Sequence, residues 1–268
     1  MRALDFEVKE CGICEKHDVP MLLFAGRTAC PVCQREKIAE QDKLFVEKAE
    51  RQHMKRRTYD RLAMDSILMD YSLKEASFQS FLEDDEESIA NKKKARVLAG
   101  RYLTGETFNT ILTGTAGAGK SHLAMSMLKA VNDNADPWRS CLFVSLDEFL
   151  LSIRETFDRN NKETERSVIE HISDVDLLVL DDLGAETGFI GTNKTATDFT
   201  QRILYSLMNR RQDKSTIITT NLTGAQLAAM YDKKILSRMY RKIDGNVITF
   251  NGTKDRRMIF LRSEQHDL

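Results

Sequence analysis

The sequence carries almost no net charge: 40 Lys and Arg stand against 41 Asp and Glu in 268 residues, leaving −1 at neutral pH. A uniformly basic surface is thereby excluded, and any contact with DNA must come from a local patch. No apolar run approaches the roughly 20 residues of a membrane-spanning helix. The opening residues, MRALDFEVKECG, lack the apolar stretch of a secretory leader, which sets the expectation of a cytoplasmic protein without membrane association. Repeats and low-complexity tracts are missing too. Neither Gly nor Pro occurs between Arg35 and Arg61, where Ile38, Leu44, Phe45 and Ala49 recur at roughly helical spacing among charges. That pattern predicts an exposed amphipathic helix acting as an arm. A second helical piece is expected around Leu62, Ile67, Leu68 and Met69. What is present, 41% hydrophobic and 30% charged residues, is the composition of a globular protein with one full-sized domain and a smaller one.

Four of the five cysteines fall in two pairs, Cys11-x-x-Cys14 and Cys30-x-x-Cys33, separated by 15 residues. Intracellular thiols stay reduced, so such pairs point to a metal before a disulfide. The spacing fits two knuckles that supply two thiolates each to a closed tetrahedral zinc site. His17 is an alternative fourth ligand, and a redox pair or free thiols are the other readings. So small a region buries little core, and a metal supplies the missing folding energy. Cys141, within the apolar run CLFVS, reads as a core residue. The expected division is a zinc-binding region 1–34, a helical linker 35–70 and a large domain 71–268.

From Phe108 onward, apolar strands alternate with amphipathic helices, the pattern of an α/β domain with a parallel sheet covered on both faces. Five strands are predicted: Thr110–Thr113, Cys141–Ser145, Leu177–Leu180, Thr216–Thr220 and Asn246–Phe250. The first runs into GTAGAGKS and then a helical segment, matching a phosphate-binding loop in its required strand–loop–helix context. Gly114, Gly117 and Gly119 let successive N–H groups converge on one point. Thr115, Ala116, Ala118 and His122 complete the expected nucleotide contacts. The helix N-terminus adds positive potential, Lys120 reaches the β- and γ-phosphates, and the Ser121 hydroxyl ligates magnesium.

The strand Leu177–Leu180 ends in Asp181 and Asp182, which places both carboxylates at the carboxyl edge of the sheet beside the loop. Asp181 is expected to hold magnesium through water and Asp182 to orient or deprotonate the attacking water, with Glu186 as the alternative base. An aspartate reaches roughly 1.5 Å less far than a glutamate, and catalysis is sensitive to such displacements, so hydrolysis is expected to be slow and switch-like. Asn221, closing the β-branched strand Ser215–Thr220, can hydrogen-bond the γ-phosphate or the water. Arg238, in ILSRMYRK, can act on the γ-phosphate of a neighbouring subunit, with Arg241 second. Arg256 and Arg257 can reach the phosphates in cis.

The order GTAGAGKS, LLVLDDLGAE, STIITTNL and ILSRMYRK resembles the AAA+ ATPases of the DnaC/DnaI helicase-loader group, over about residues 60–262. SLKEASFQSF, Ser72 to Phe81, is similar to the segment preceding the ATPase core in that group. The resemblance implies that Gly114–Ser121 form the Walker A loop, Asp181 and Asp182 Walker B, Asn221 sensor 1 and Arg238 the arginine finger. It assigns Arg256 and Arg257 to the sensor 2 region. Too few residues follow Asn221 for a full helical lid, which fits the reduced lid of the loaders. The Cys cluster is similar to the N-terminal zinc-binding region with which DnaI-type loaders engage the helicase. The implied partners are a DnaB-type replicative helicase, single-stranded DNA, and further copies of the chain in a ring or spiral when ATP is bound. The implied cofactors are ATP, magnesium and zinc. By the same resemblance Arg154, Arg159, Lys162 and Arg166, beside Phe149 and Phe157, are expected to hold single-stranded DNA by charge and stacking. A transposition helper ATPase of the IstB type is the alternative, since it shares this core.

Overall fold

The computed structural model describes residues 9–24, 27–158, 162–185 and 195–253. The chain divides into two units, Met1–Lys55 and Arg56–Leu268. In the first, β1 (Lys9–Ile13), β2 (Pro20–Phe24) and β3 (Arg27–Ala29) form an antiparallel sheet in chain order. The long helix α1 (Pro31–Arg57) follows, and none of its residues is buried. The amphipathic pattern thus becomes a bare helix with Phe45 74% exposed. The expected boundary at 34/35 falls inside α1, since Pro31 is favoured in the first helical turn and no breaker follows for 26 residues.

The second unit opens with the short helix α2 (Arg61–Met64). Of the second helical piece expected around Leu62, Ile67, Leu68 and Met69, only Leu62 is helical, within α2, and Ile67 is instead extended. Ile67 pairs in parallel with Val144, its N–H donating to the Phe143 carbonyl at 2.9 Å and its carbonyl accepting from Ser145 N–H at 2.8 Å. An edge strand presents unpaired backbone groups, and this segment covers some of them. Helix α3 (Glu86–Leu103) starts at Asp85, which forms a reciprocal capping box with Ser88.

The remaining elements alternate. They are β4 (Thr110–Gly114), α4 (Lys120–Asn134), β5 (Cys141–Ser145), α5 (Leu146–Glu155), α6 (Glu165–Ser173), β6 (Leu177–Leu183), α7 (Asp198–Arg210), β7 (Ser215–Thr220), α8 (Gly224–Met230), α9 (Lys233–Met239) and β8 (Val247–Phe250). The five strands β4–β8 form one parallel sheet in the order β5-β6-β7-β4-β8. Each of the five predicted strands is present. Their side chains alternate between two cores, as the period of a strand requires. Ile111, Leu142, Val144, Leu178, Leu180 and Ile218 pack on the face of α5–α9. Leu112, Cys141, Phe143, Leu177, Val179 and Ile217 pack on the face of α3 and α4. Cys141 is a fully buried core residue, as expected.

Edge strand β8 is tied to α3: Asn91 Nδ2 donates to the Thr249 carbonyl at 2.8 Å and Lys94 Nζ to that of Val247 at 2.6 Å. Beyond β8, the Glu87 carboxylate accepts from the N–H groups of Asn251, Gly252 and Thr253 and from the Thr253 hydroxyl. Burial pushes the Glu87 carboxyl up, but these donors outweigh it and hold it below the usual range.

Candidate functional site

All strands of a parallel sheet end at the same edge, and the order of this one decides which ends meet. β7 lies between β6, which carries the acidic pair, and β4, which runs into the glycine loop. Asn221, just past the end of β7, therefore stands between Asp182 and Lys120. The hydrogen bonds follow that order. Lys120 Nζ donates to Asn221 Oδ1 at 2.7 Å, and Asn221 Nδ2 donates to Asp182 Oδ1 at 3.0 Å. Lys120 also donates to the carbonyls of Gly114 at 2.9 Å and Thr115 at 2.6 Å.

The loop itself depends on close backbone approach. Gly114 has φ +121°, and a Cβ there would lie 2.0 Å from the Phe250 carbonyl oxygen, so no other residue fits between β4 and β8. Thr115 N–H donates to that same oxygen at 2.8 Å. Lys120 and Ser121 start α4, so the loop leads into a helix N-terminus. His122 turns away from the loop. Its Nε2 lies 3.0 Å from the Ser77 carbonyl and 3.1 Å from Ser80 Oγ, and its ring meets Phe81 edge-on. Those contacts dock the segment 72–81 against the start of α4.

Asp181 is buried, which pushes its carboxyl up; hydroxyl donation from Thr219 and Ser121 acts in the opposite direction, and the nearby Asp182 adds to the rise. Thr219 Oγ1 donates to Asp181 Oδ1 at 2.6 Å and accepts from Asp182 N–H at 2.9 Å. The β6–β7 register shifts between Leu180 and Leu183, and Asp182 has φ +60°. Such a conformation costs a residue with a Cβ about 1–2 kcal/mol and is retained where the surroundings impose it. A third carboxylate joins from the first turn of α5: burial, then the charge of Asp182, raises the Asp147 carboxyl. Sequence reasoning missed Thr219 and Asp147. The run STIITT contains the signal for the first, since a hydroxyl on a fully buried strand needs a partner.

Arg238 is not part of this hydrogen-bonded group. It lies in the last turn of α9, over the Tyr205 ring at 4.6 Å. Its Nε and Nη2 donate to Asn209 Oδ1 at 3.1 and 2.9 Å, and its Nη1 to the Lys234 carbonyl at 2.8 Å. Arg241 is held elsewhere, donating to the Lys214 carbonyl at 3.2 Å. Glu186, Arg159, Arg256 and Arg257 lie outside the described residues.

In the N-terminal unit, one ligand atom each from Cys14, His17, Cys30 and Cys33 falls within 4.8 Å of the others. His17 Nδ1 lies 3.8, 3.7 and 3.3 Å from the sulfurs of Cys14, Cys30 and Cys33, and the sulfurs of Cys14 and Cys33 are 3.8 Å apart. A zinc tetrahedron with S ligands at about 2.3 Å and N at about 2.0 Å has edges of roughly 3.5 to 3.8 Å, so this donor set fits that ion. Cys11 stays out of the group, and His17 takes its place. Two ligands three residues apart converge on a turn, and the turn begins at Cys14: Asp18 N–H donates to the Cys14 carbonyl at 2.8 Å. Cys11 sits on the extended β1 instead. His17 Nε2 meets Glu36 Oε1 at 3.0 Å, the carboxylate partner that orients a ligating imidazole. Backbone N–H of Lys16 and the His17 ring hold the Cys14 thiol down to about 6, a thiolate ready for a metal, whereas burial raises Cys33 to about 11.

The arginine-rich region between β5 and β6 is rearranged relative to expectation. Phe149 is fully buried in the core because it lies on the inner face of α5. Arg166 is paired with Glu170 at 2.9 Å, and Lys162 is exposed. Phe157, 60% exposed, meets Phe199 edge-on, and the guanidinium groups of Arg154 and Arg202 lie over Phe199 at 5.2 and 5.8 Å. Phe199 and Arg202 come from α7, beyond the segment that sequence proximity picks out.

A family model described as IstB-like ATP binding protein matches residues 35–244. The chain is 28% identical over 151 residues to the replicative helicase loader DnaC of Buchnera aphidicola subsp. Baizongia pistaciae, covering 56% of each chain. It is 30% identical over 149 residues to an ATP-binding protein of insertion sequence IS21 from Pseudomonas aeruginosa, covering 55% of this chain and 51% of that one. The chain thus spans about half the length of these relatives. A crystal structure of the DnaC helicase loader superposes with a TM-score of 0.56 at 20% identity, covering 68% of this chain and 99% of that one. The five-stranded sheet is of the AAA+ type.

Proposed function

Because the chain belongs to the family of IstB-like ATP-binding proteins, we propose that it is an ATP-hydrolysing helicase loader, which binds a DnaB-type hexamer and delivers it to single-stranded DNA. The observation carrying the loader reading is the N-terminal unit. A Cys/His cluster and a helix without a buried residue stand ahead of the ATPase fold. The cluster lies before residue 35, where the family match begins. Such a module suits docking to a protein partner.

In the ATPase unit, the loop 114–121 wraps the phosphates with backbone N–H groups, and Lys120 places its charge between the terminal two. Ser121 and Asp181 hold magnesium, which neutralises phosphate charge when bound. Asp182 orients the attacking water, and Asn221, bonded to both Lys120 and Asp182, links phosphate to water. The short reach of Asp182 makes hydrolysis slow. Arg238 completes the site of an adjoining copy, so activity rises with assembly into a ring or spiral. The cluster of Cys14, His17, Cys30 and Cys33 holds a structural zinc ion. Arg154 and Arg202, with Phe157 and Phe199, form the patch that meets single-stranded DNA.

A second reading is favoured by the IS21 relative, whose identity is comparable to that of the DnaC relative. It makes the chain a transposition helper acting on duplex DNA. One experiment separates the two: the purified full chain is mixed with a hexameric replicative helicase, ATP and magnesium, and run on a sizing column. Co-migration that disappears in His17→Ala supports the loader. Tight duplex binding with no helicase association sinks it.

A further inference from the structure

Two adjacent residues on a strand point to opposite faces of the sheet, yet Asp181 and Asp182 are both needed at one edge. The bulge in β6 resolves this conflict. The register against β7 slips between Leu180 and Leu183, and Asp182 adopts φ +60°. Its side chain then meets Asn221 while that of Asp181 stays on the Thr219 side. At a bulge the ladder is broken, and a backbone N–H needs another acceptor. Asp182 N–H has Thr219 Oγ1, at 2.9 Å. An N–H can only donate, so the Thr219 hydroxyl proton is directed elsewhere, and Asp181 Oδ1 lies 2.6 Å away. Thr219 is 1% exposed, so water does not substitute for either bond.

We infer that Thr219 is a positioning residue for the nucleotide-bound magnesium: one hydroxyl fixes both the Asp181 carboxylate and the bulge that aims Asp182. This rests on the assignment of Asp181 to magnesium above. Valine has the shape of threonine without the hydroxyl, and serine keeps the hydroxyl without the methyl group. The two substitutions therefore separate hydrogen bonding from packing.

The test measures the affinity of a fluorescent ATP analogue for the full chain in EDTA and in magnesium, beside the hydrolysis rate. Thr219→Val should bind as wild type in EDTA and lose at least about tenfold of the magnesium-dependent gain, the value of one bond to a charged group. Its kcat should fall in parallel, and Thr219→Ser should restore both. Thr219→Ala provides a second hydroxyl-free chain should the valine variant fold poorly, with thermal melting as the control. A valine variant with the full magnesium gain overturns the inference, as does a serine variant impaired like the valine one. Asp181→Asn separates the two levels: if it too keeps the magnesium gain, the metal assignment itself falls.

Discussion

Replacing His17 by alanine tests the N-terminal unit most directly, because the spacing of the cysteines alone suggests a different ligand. Among the side chains of residues 11–23 and 27–55, only Cys14 and Cys30 are buried hydrophobic residues, so these described residues form no apolar core of their own. The proposed zinc ion would supply the stabilisation that such a core otherwise gives. Structural zinc sites are worth about 10–16 kcal/mol in small domains, so one ligand of the four carries roughly 2.5–4 kcal/mol, or about 100- to 1000-fold in affinity. His17→Ala should weaken zinc by that factor in competition with a chromophoric chelator, and the N-terminal unit should unfold at chelator levels the wild type withstands. Cys11→Ser should keep one zinc per chain at wild-type affinity. Glu36→Ala, which only orients the imidazole, should cost about 10- to 100-fold. If Cys11→Ser releases the metal while His17→Ala retains it, the tetrahedral assignment is wrong, and the turn at Cys14 does not set the ligands.

Other expectations concern the ATPase unit. Asn221→Ala breaks the chain from Lys120 to Asp182; hydrolysis should fall on the order of 100-fold with nucleotide affinity little changed, and a fall in affinity alone would contradict it. Mixing Arg238→Ala with Asp182→Ala should restore part of the ATPase activity that each lacks, because one interface in the mixture is complete; no restoration refutes action in trans. Glu87→Gln, which weakens four bonds at the end of β8, should cost about 1–3 kcal/mol in urea unfolding at pH 7. Since the folded state holds the Glu87 carboxyl below its unfolded value, its contribution is complete above about pH 4.3 and is lost as pH falls through the folded value. The glutamine variant should therefore show a shallower acid limb, and parallel pH profiles would refute this.

What the sequence made legible, and what it hid, divides along a physical line. The strands and the phosphate loop were legible because each is written in local chemistry: β-branched runs, glycines, a lysine and a serine at fixed spacing. Even the meeting of Asp182 with Asn221 follows from local signals, since parallel strands share one carboxyl edge. The rest depends on register and on distance along the chain. Ile67 is apolar and reads as helical, but the open edge of β5 offered it a better bargain, two backbone hydrogen bonds to the Phe143 carbonyl and the Ser145 N–H. Phe149 resembles a stacking residue until the pitch of α5 turns it into the core. Arg154 finds Phe199 across 45 residues of sequence, a contact no local pattern encodes. The Cys pairs show the boundary most clearly. Their spacing announces a metal knuckle, but which three-residue step forms the turn is decided by where β1 stops, at Ile13. That single backbone event moves the fourth member of the cluster from Cys11 to His17, and the same kind of event, the slip of β6 after Leu180, turns an ordinary threonine into the clasp between one aspartate's carboxylate and the next one's backbone N–H.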